Sequence, residues 1–139
     1  MEKSTATRVV DRMMSKDLFS QWLGVERLGE GEGTCKLKMV IRPEMCNGFG
    51  IAHGGISYSF ADSALAFACN SHGRQAVSIE TSISHLRALH VGDVLIAIAE
   101  EKSCSNRIGV YDVRVERESG ELVALFKGMV YRKDKNWDV

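Results

Sequence analysis

The chain carries no imbalance of charge: eighteen Lys and Arg stand against eighteen Asp and Glu in 139 residues. It therefore has no broad positive field of the kind that draws nucleic acid or an anionic membrane, and neither is expected as a partner. Metal-binding spacing is missing as well. Cys35, Cys46, Cys69 and Cys104 form no Cys-x-x-Cys pair and have no histidine at zinc-finger distance, so no metal site is expected. Met1 to Thr5 lacks a cationic segment leading into an apolar stretch, and no apolar run reaches membrane-spanning length. Reduced thiols in a cytoplasm are the reading that fits. Repeats, low-complexity tracts and linkers are also missing, which leaves one domain over residues 1–139.

What is present is a chain 45% hydrophobic, enough for one compact core. From about Ala6 to Leu23, Val9, Val10, Met13, Met14, Leu18 and Trp22 recur at three- and four-residue spacings, which predicts an amphipathic helix lying over the rest. Glycines at 24, 29, 31 and 33 break that pattern. Cys35 to Ile41 then alternates as a strand, ended by Arg42-Pro43-Glu44. His53 to about Ser71 is nearly uncharged and apolar all round, the signature of a helix buried on most sides. Four strands follow, at Ala76–Leu86, Asp93–Glu101, Ile108–Glu116 and Leu122–Arg132. Lys133 to Val139 reads as a loose tail. One long helix cannot cover both faces of such a sheet, so the sheet should wrap the helix: an α+β fold with a mostly antiparallel sheet.

The chemistry concentrates in Asn47-Gly48-Phe49-Gly50-Ile51-Ala52-His53-Gly54-Gly55, a loop running into the uncharged helix. A helix N-terminus offers unpaired N–H groups and partial positive charge, and Gly54 and Gly55 let another molecule approach that backbone. Double glycines at such junctions also serve turns alone. Asp62 tips the balance, because a carboxylate on an apolar helix must be paired, hydrated or facing a cleft, and no basic residue stands at 58, 59, 65 or 66. The glycine spacing G-x-G-x-x-x-G is one residue too long for a dinucleotide fingerprint, and Gly55-Ile56-Ser57-Tyr58-Ser59 lacks the closing glycine of a nucleophile elbow.

Together with Ala61-Asp62, Ala68-Cys69-Asn70-Ser71, Gly109-Val110-Tyr111-Asp112-Val113 and Val123 to Gly128, this loop resembles the phenylacetic-acid-degradation branch of hotdog-fold acyl-CoA thioesterases, over nearly the whole chain. The resemblance implies a five- to six-stranded sheet around one central helix. It also implies hydrolysis of an acyl-CoA, aromatic ones such as phenylacetyl-CoA or hydroxylated derivatives included. Asp62 matches the family's general base or nucleophile, and Gly54 the glycine whose N–H polarises the thioester carbonyl. Asn47 and His53 match polar residues around the reacting centre. No cofactor is implied beyond the coenzyme A of the substrate. Sites in this family lie between subunits, and its dimers commonly pair into homotetramers. An acyl-CoA-binding protein without turnover, and a dehydratase or hydratase, are the alternative readings.

Distance along the helix supports the shared site independently. Gly54 and Asp62 are separated by about 12 Å at 1.5 Å per residue, too far for both to reach one carbonyl, so a homodimer is the expected minimal unit. Phe49, Gly55, Ser78, Ser82 and Arg87 are candidates for substrate contact. Strand alternation puts Ser78 and Ser82 on one face and Thr81 on the other. Phe60, Phe67 and Tyr58 line an aromatic-tolerant pocket or belong to the core. Arg87, Lys102, Arg107 and Lys127 are the cations open to coenzyme A phosphates. His85 and His90, near the end of a strand, are read as surface residues without a special role. In place of the family's usual proline, Ala88 follows Leu86-Arg87.

Overall fold

The computed structural model describes residues 2–139. The N-terminal segment forms two helices rather than the single one expected: α1, Thr5–Met14, and α2, Leu18–Leu23. The break has a side-chain cause. Asp17 accepts from the Ser20 N–H at 2.9 Å and the Ser20 hydroxyl at 2.6 Å, capping a new helix where the old one would have continued. Gly24, at φ 77°, then ends α2 in the left-handed conformation.

A strand follows that the pattern of glycines hid. β1, Glu26–Gly31, pairs with β2, Thr34–Val40, with an irregularity between Arg27 and Gly29. As an edge strand it tolerates glycines that a central strand would not. After a short 3-10 turn at Pro43–Met45 comes the long helix α3, Gly54–Asn70. β3 (Arg74–His85), β4 (Val94–Cys104), β5 (Ile108–Arg117) and β6 (Leu122–Asn136) complete the chain. All pairings are antiparallel, and the six strands are ordered β1-β2-β4-β5-β6-β3.

The sheet wraps α3. Phe60, Ala61, Ala64, Leu65, Phe67 and Ala68 are buried against Leu37, Met39, Leu95, Ala97, Val113, Val115 and Phe126. Each fully buried Phe or Leu contributes about 1.5–3 kcal/mol of transfer free energy. Phe60 and Phe67 are thus core, not pocket. Gly128 on β6 sets how closely sheet and helix approach, since a Cβ there would stand 2.5 Å from Leu65 Cδ2. α1 packs on the outside through Ala6, Val9 and Val10.

The segment from Lys133 is not the loose tail that its composition suggests. β6 runs on to Asn136, the Trp137 N–H donates to the Gly73 carbonyl at 2.8 Å, and Trp137 Nε1–H donates to Asn70 Oδ1 at 2.9 Å. Buried Asn70 also accepts from the Ala76 N–H at 2.9 Å and donates to the carbonyls of Ala66 and Ala76. One amide thus ties the end of α3 to the start of β3 and to the last residues of the chain. Asn70→Ala leaves a buried N–H and buried carbonyls short of partners and is expected to cost about 2–3 kcal/mol, read by equilibrium denaturation at fixed protein concentration.

Candidate active site

α3 meets the loop before it through His53, whose Nδ1 accepts from the Gly55 N–H at 2.8 Å, while the His53 carbonyl accepts from the Ile56 N–H at 2.9 Å. The loop is pinned by Asn47 N–H to the Ile51 carbonyl, His53 N–H to the Met45 carbonyl and Ala52 N–H to the Leu89 carbonyl. Asn47 Oδ1 accepts from the Phe49 N–H at 2.9 Å, so its amino group is the end left to donate elsewhere. Phe49 stands at the loop tip, 91% exposed.

This helix end opens into a cavity of about 310 Å³ lined by Asn47, Gly54, Ser57, His85, Arg87 and Leu89 among others. Arg87 leans on Glu121 at 3.6 Å and keeps most of its side chain in solvent. The sequence reads His85 as a surface residue near a strand end without a special role. In space its ring stands over the first turn of α3, Nδ1 3.2 Å from Ser57 Oγ. A signal did exist: a histidine ending the strand that follows a glycine-led helix, in a fold that brings strand end and helix start together.

Asp62 lies elsewhere. It faces a cavity of about 440 Å³ whose lining includes Met13, Leu65, Cys69, Val77, Ser78 and Trp137. Burial raises its pKa above the ordinary carboxylate value, and the negative charge of Asp17 raises it further. Asp17 belongs to a link from α2 into α3, since the Ser20 hydroxyl contacts both Asp17 Oδ2 and, at 2.8 Å, the Ser63 hydroxyl. Burial holds the Cys69 thiol, on the same cavity, up at about 12.

The structure separates Ser78 from Ser82. A register shift between Ser78 and Glu80 places two residues of β3 against one of β6. Alternation reverses there: Ser78 pairs with buried Val130, and Thr81 with buried Gly128, whereas Ser82 pairs with exposed Lys127. Ser78 and Thr81 therefore share the inner face and Ser82 the outer one, the opposite of the simple two-residue reading. Thr81 is bonded to the Tyr58 hydroxyl. Ser82 lines an outer cavity of about 350 Å³ with Lys102, Arg114 and Lys127. Arg107 is engaged by Asp134 at 2.6 Å. Among the described residues, His72, Glu101 and Cys104 bring donor atoms within 4.8 Å of one another, but Glu101 already accepts from Tyr111 at 2.6 Å and contacts His72 at 2.7 Å.

A sheet wrapped on one helix, with an amide-lined helix start in one cavity and a lone carboxylate in another, defines a hotdog-fold protein. Residues 49–124 match the family described as Thioesterase superfamily, and the chain belongs to that family. It is 36% identical over 120 residues to the acyl-coenzyme A thioesterase PaaI of Escherichia coli, covering 86% of each chain. The solved E. coli PaaI protein, from the phenylacetic acid degradation operon, superposes with a TM-score of 0.92 at 33% identity, over 95% of this chain and 96% of that one. A mutant of the phenylacetic acid degradation protein PaaI from Thermus thermophilus superposes with a TM-score of 0.81 at 38% identity, over 84% of this chain and all of that one, 100%.

Proposed function

We propose that the protein hydrolyses acyl-CoA thioesters to the free acid and coenzyme A, in sites shared between two copies of the chain. The observation that carries this reading is the division of the machinery: Gly54 and Asp62 sit on one rigid helix but open into different cavities. Along α3, Gly54, Gly55, Tyr58, Ser59, Asp62 and Ala66 are the residues left partly or fully uncovered, and they fall on one side of the helix. A second copy laid antiparallel along this side, about a two-fold axis near Tyr58, midway between Gly54 and Asp62, brings each Asp62 opposite the other chain's Gly54. β3 supports the same pairing, because it is bonded to β6 alone and carries the exposed apolar residues Val77 and Ile79. Further pairing into a tetramer belongs to this reading through the family resemblance.

In this arrangement the Gly54 N–H polarises the thioester carbonyl of a substrate whose coenzyme A portion enters past Asn47 and Arg87. Asp62 of the facing chain takes a proton from water as the water oxygen bonds to the carbonyl carbon. The tetrahedral intermediate then expels the coenzyme A thiolate, which recovers the proton. No cofactor enters. The cavity around Asp62, with Met13, Leu65, Val77 and Trp137, suits an apolar acyl group; the likeness to PaaI from the phenylacetic acid degradation operon supports an aromatic one such as phenylacetyl, and hydroxylated derivatives belong to this reading through the family resemblance. No helix among the described residues is long and apolar enough to cross a membrane. We place the protein in the cytoplasm, supported by its four free cysteines.

Thiol release from a panel of aromatic and aliphatic acyl-CoAs tests this reading, and an absence of turnover on every member would defeat it. Because Asp62 must be ionised to act and its pKa is raised, the acid limb of kcat/KM should lie above the ordinary aspartate range. Asp17→Asn preserves the cap on α2 but removes the neighbouring charge, so it should move that limb to lower pH. A pH–rate profile unchanged by the substitution would separate Asp17 from the reacting carboxylate.

A further inference from the structure

We propose that His85 is a catalytic residue of this hydrolysis, its Nε2–H donating to the thioester carbonyl oxygen beside the Gly54 N–H; the inference rests on the reading above and names a second donor for it.

Three observations converge. First, the ring is aimed at the helix start. A Cβ built on Gly54 would lie 3.2 Å from His85 Nε2, 3.5 Å from Cε1 and 3.9 Å from Cδ2, so the edge bearing Nε2 faces Gly54. The glycine is needed here because a side chain would push into the ring.

Second, the other ring nitrogen is held. Nδ1 lies 3.2 Å from the hydroxyl of Ser57, which is buried to 2% exposure. That hydroxyl has one proton and two acceptors within reach, Nδ1 and the Gly54 carbonyl, also at 3.2 Å. The carbonyl has a helical partner of its own in the Tyr58 N–H four residues on, whereas Nδ1 has no other donor among its hydrogen bonds. Giving the proton to Nδ1 places the ring hydrogen on Nε2, the atom that faces the cavity.

Third, the helix end has few amides to spare. The Gly55 N–H is taken by His53 Nδ1 and the Ile56 N–H by the His53 carbonyl. Of these first amides only that of Gly54 is left for a ligand, and one N–H is a thin oxyanion site. Of the other polar side chains lining the cavity, Arg87 is turned toward Glu121 and its own strand end, and Asn47, its Oδ1 tied to the loop, keeps its free amino group for the entering coenzyme A portion. His85 is the side chain whose nitrogen stands against Gly54.

The test is steady-state thiol release by the full chain carrying His85→Phe, which keeps a flat ring over Gly54 but has no N–H, and His85→Gln, which offers an amide N–H in its place. Loss of one preorganised donor should lower kcat of the Phe variant by about 10²–10³ with KM little changed. The Gln variant should stay within about tenfold of the wild type. Ser57→Ala, which frees Nδ1, should fall between them. Wild-type kcat in His85→Phe would overturn the proposal. So would equal losses in the Phe and Gln variants, because a packing role would not tell an N–H from a ring edge. His85 is exposed at a strand end, and circular dichroism and Tm matching the wild type verify that the variants fold. If the wild type hydrolyses acyl-CoA, Asp62→Asn does not, and His85→Phe does, only the role of His85 falls. If the wild type hydrolyses none, the functional reading falls with it.

Discussion

Asp62→Asn should lower kcat on any acyl-CoA that the wild type accepts by about 10²–10⁴, the range that a positioned general base supplies. The substitution removes the charge but keeps the shape, and Asp62 sits half-buried without a basic partner, so folding should not suffer. Relieving a desolvated carboxylate that also feels Asp17 should, if anything, steady the fold. Substrate binding should persist, since in the arrangement proposed above the coenzyme A portion is met from the side of Asn47 and Arg87, away from Asp62. Thiol release under saturating substrate, with binding measured separately by calorimetry, reads both effects. Turnover by Asp62→Asn at the wild-type rate would remove this carboxylate from the chemistry.

The second expected result concerns two broken chains that repair each other. Gly54→Val drives a branched side chain into the space where a Cβ already comes within 3.2 Å of His85, so this variant should be inactive by itself, as Asp62→Asn should be. Unfolded together in equal amounts and refolded, half of the dimers are mixed, and each mixed dimer has one site with both defects and one with none. The mixture should therefore recover about a quarter of wild-type activity. A site contained in one chain gives no recovery at all. The experiment needs no knowledge of the natural acyl group, only a substrate that the wild type cleaves.

How much of this was legible in the sequence follows the range of the forces involved. α3 could be read because seventeen residues with a single ionised side chain leave no alternative to burial, and β4 to β6 alternate plainly. Gly54 and Asp62 stood out for the same reason, each being an exception to its surroundings. β1 was hidden because its glycines argue locally against a strand, while its place at the edge of a six-stranded sheet is a property of the whole molecule. The break between α1 and α2 turned on one carboxylate finding one amide, which periodicity does not register. The Lys133–Val139 segment looked loose because its anchors, Asn70 and Gly73, lie on the far side of the sequence. His85 was overlooked for a similar reason: nothing beside it in the chain explains it, and only the closing of β3 against α3 brings it to Gly54.

The extra residue in β3 reaches beyond local geometry. Because it inverts the strand halfway along, Thr81, Ile83 and His85 look inward while Ser82 and Ser84 look out. Deleting Ile79 would remove the bulge and leave Glu80 to His85 on their present partners, whereas drawing Ile79 into the ladder opposite Met129 would turn the imidazole toward solvent and Ser82 and Ser84 toward the helix. The bulge thus sets the phase of this strand, and with it which functional groups the helix meets.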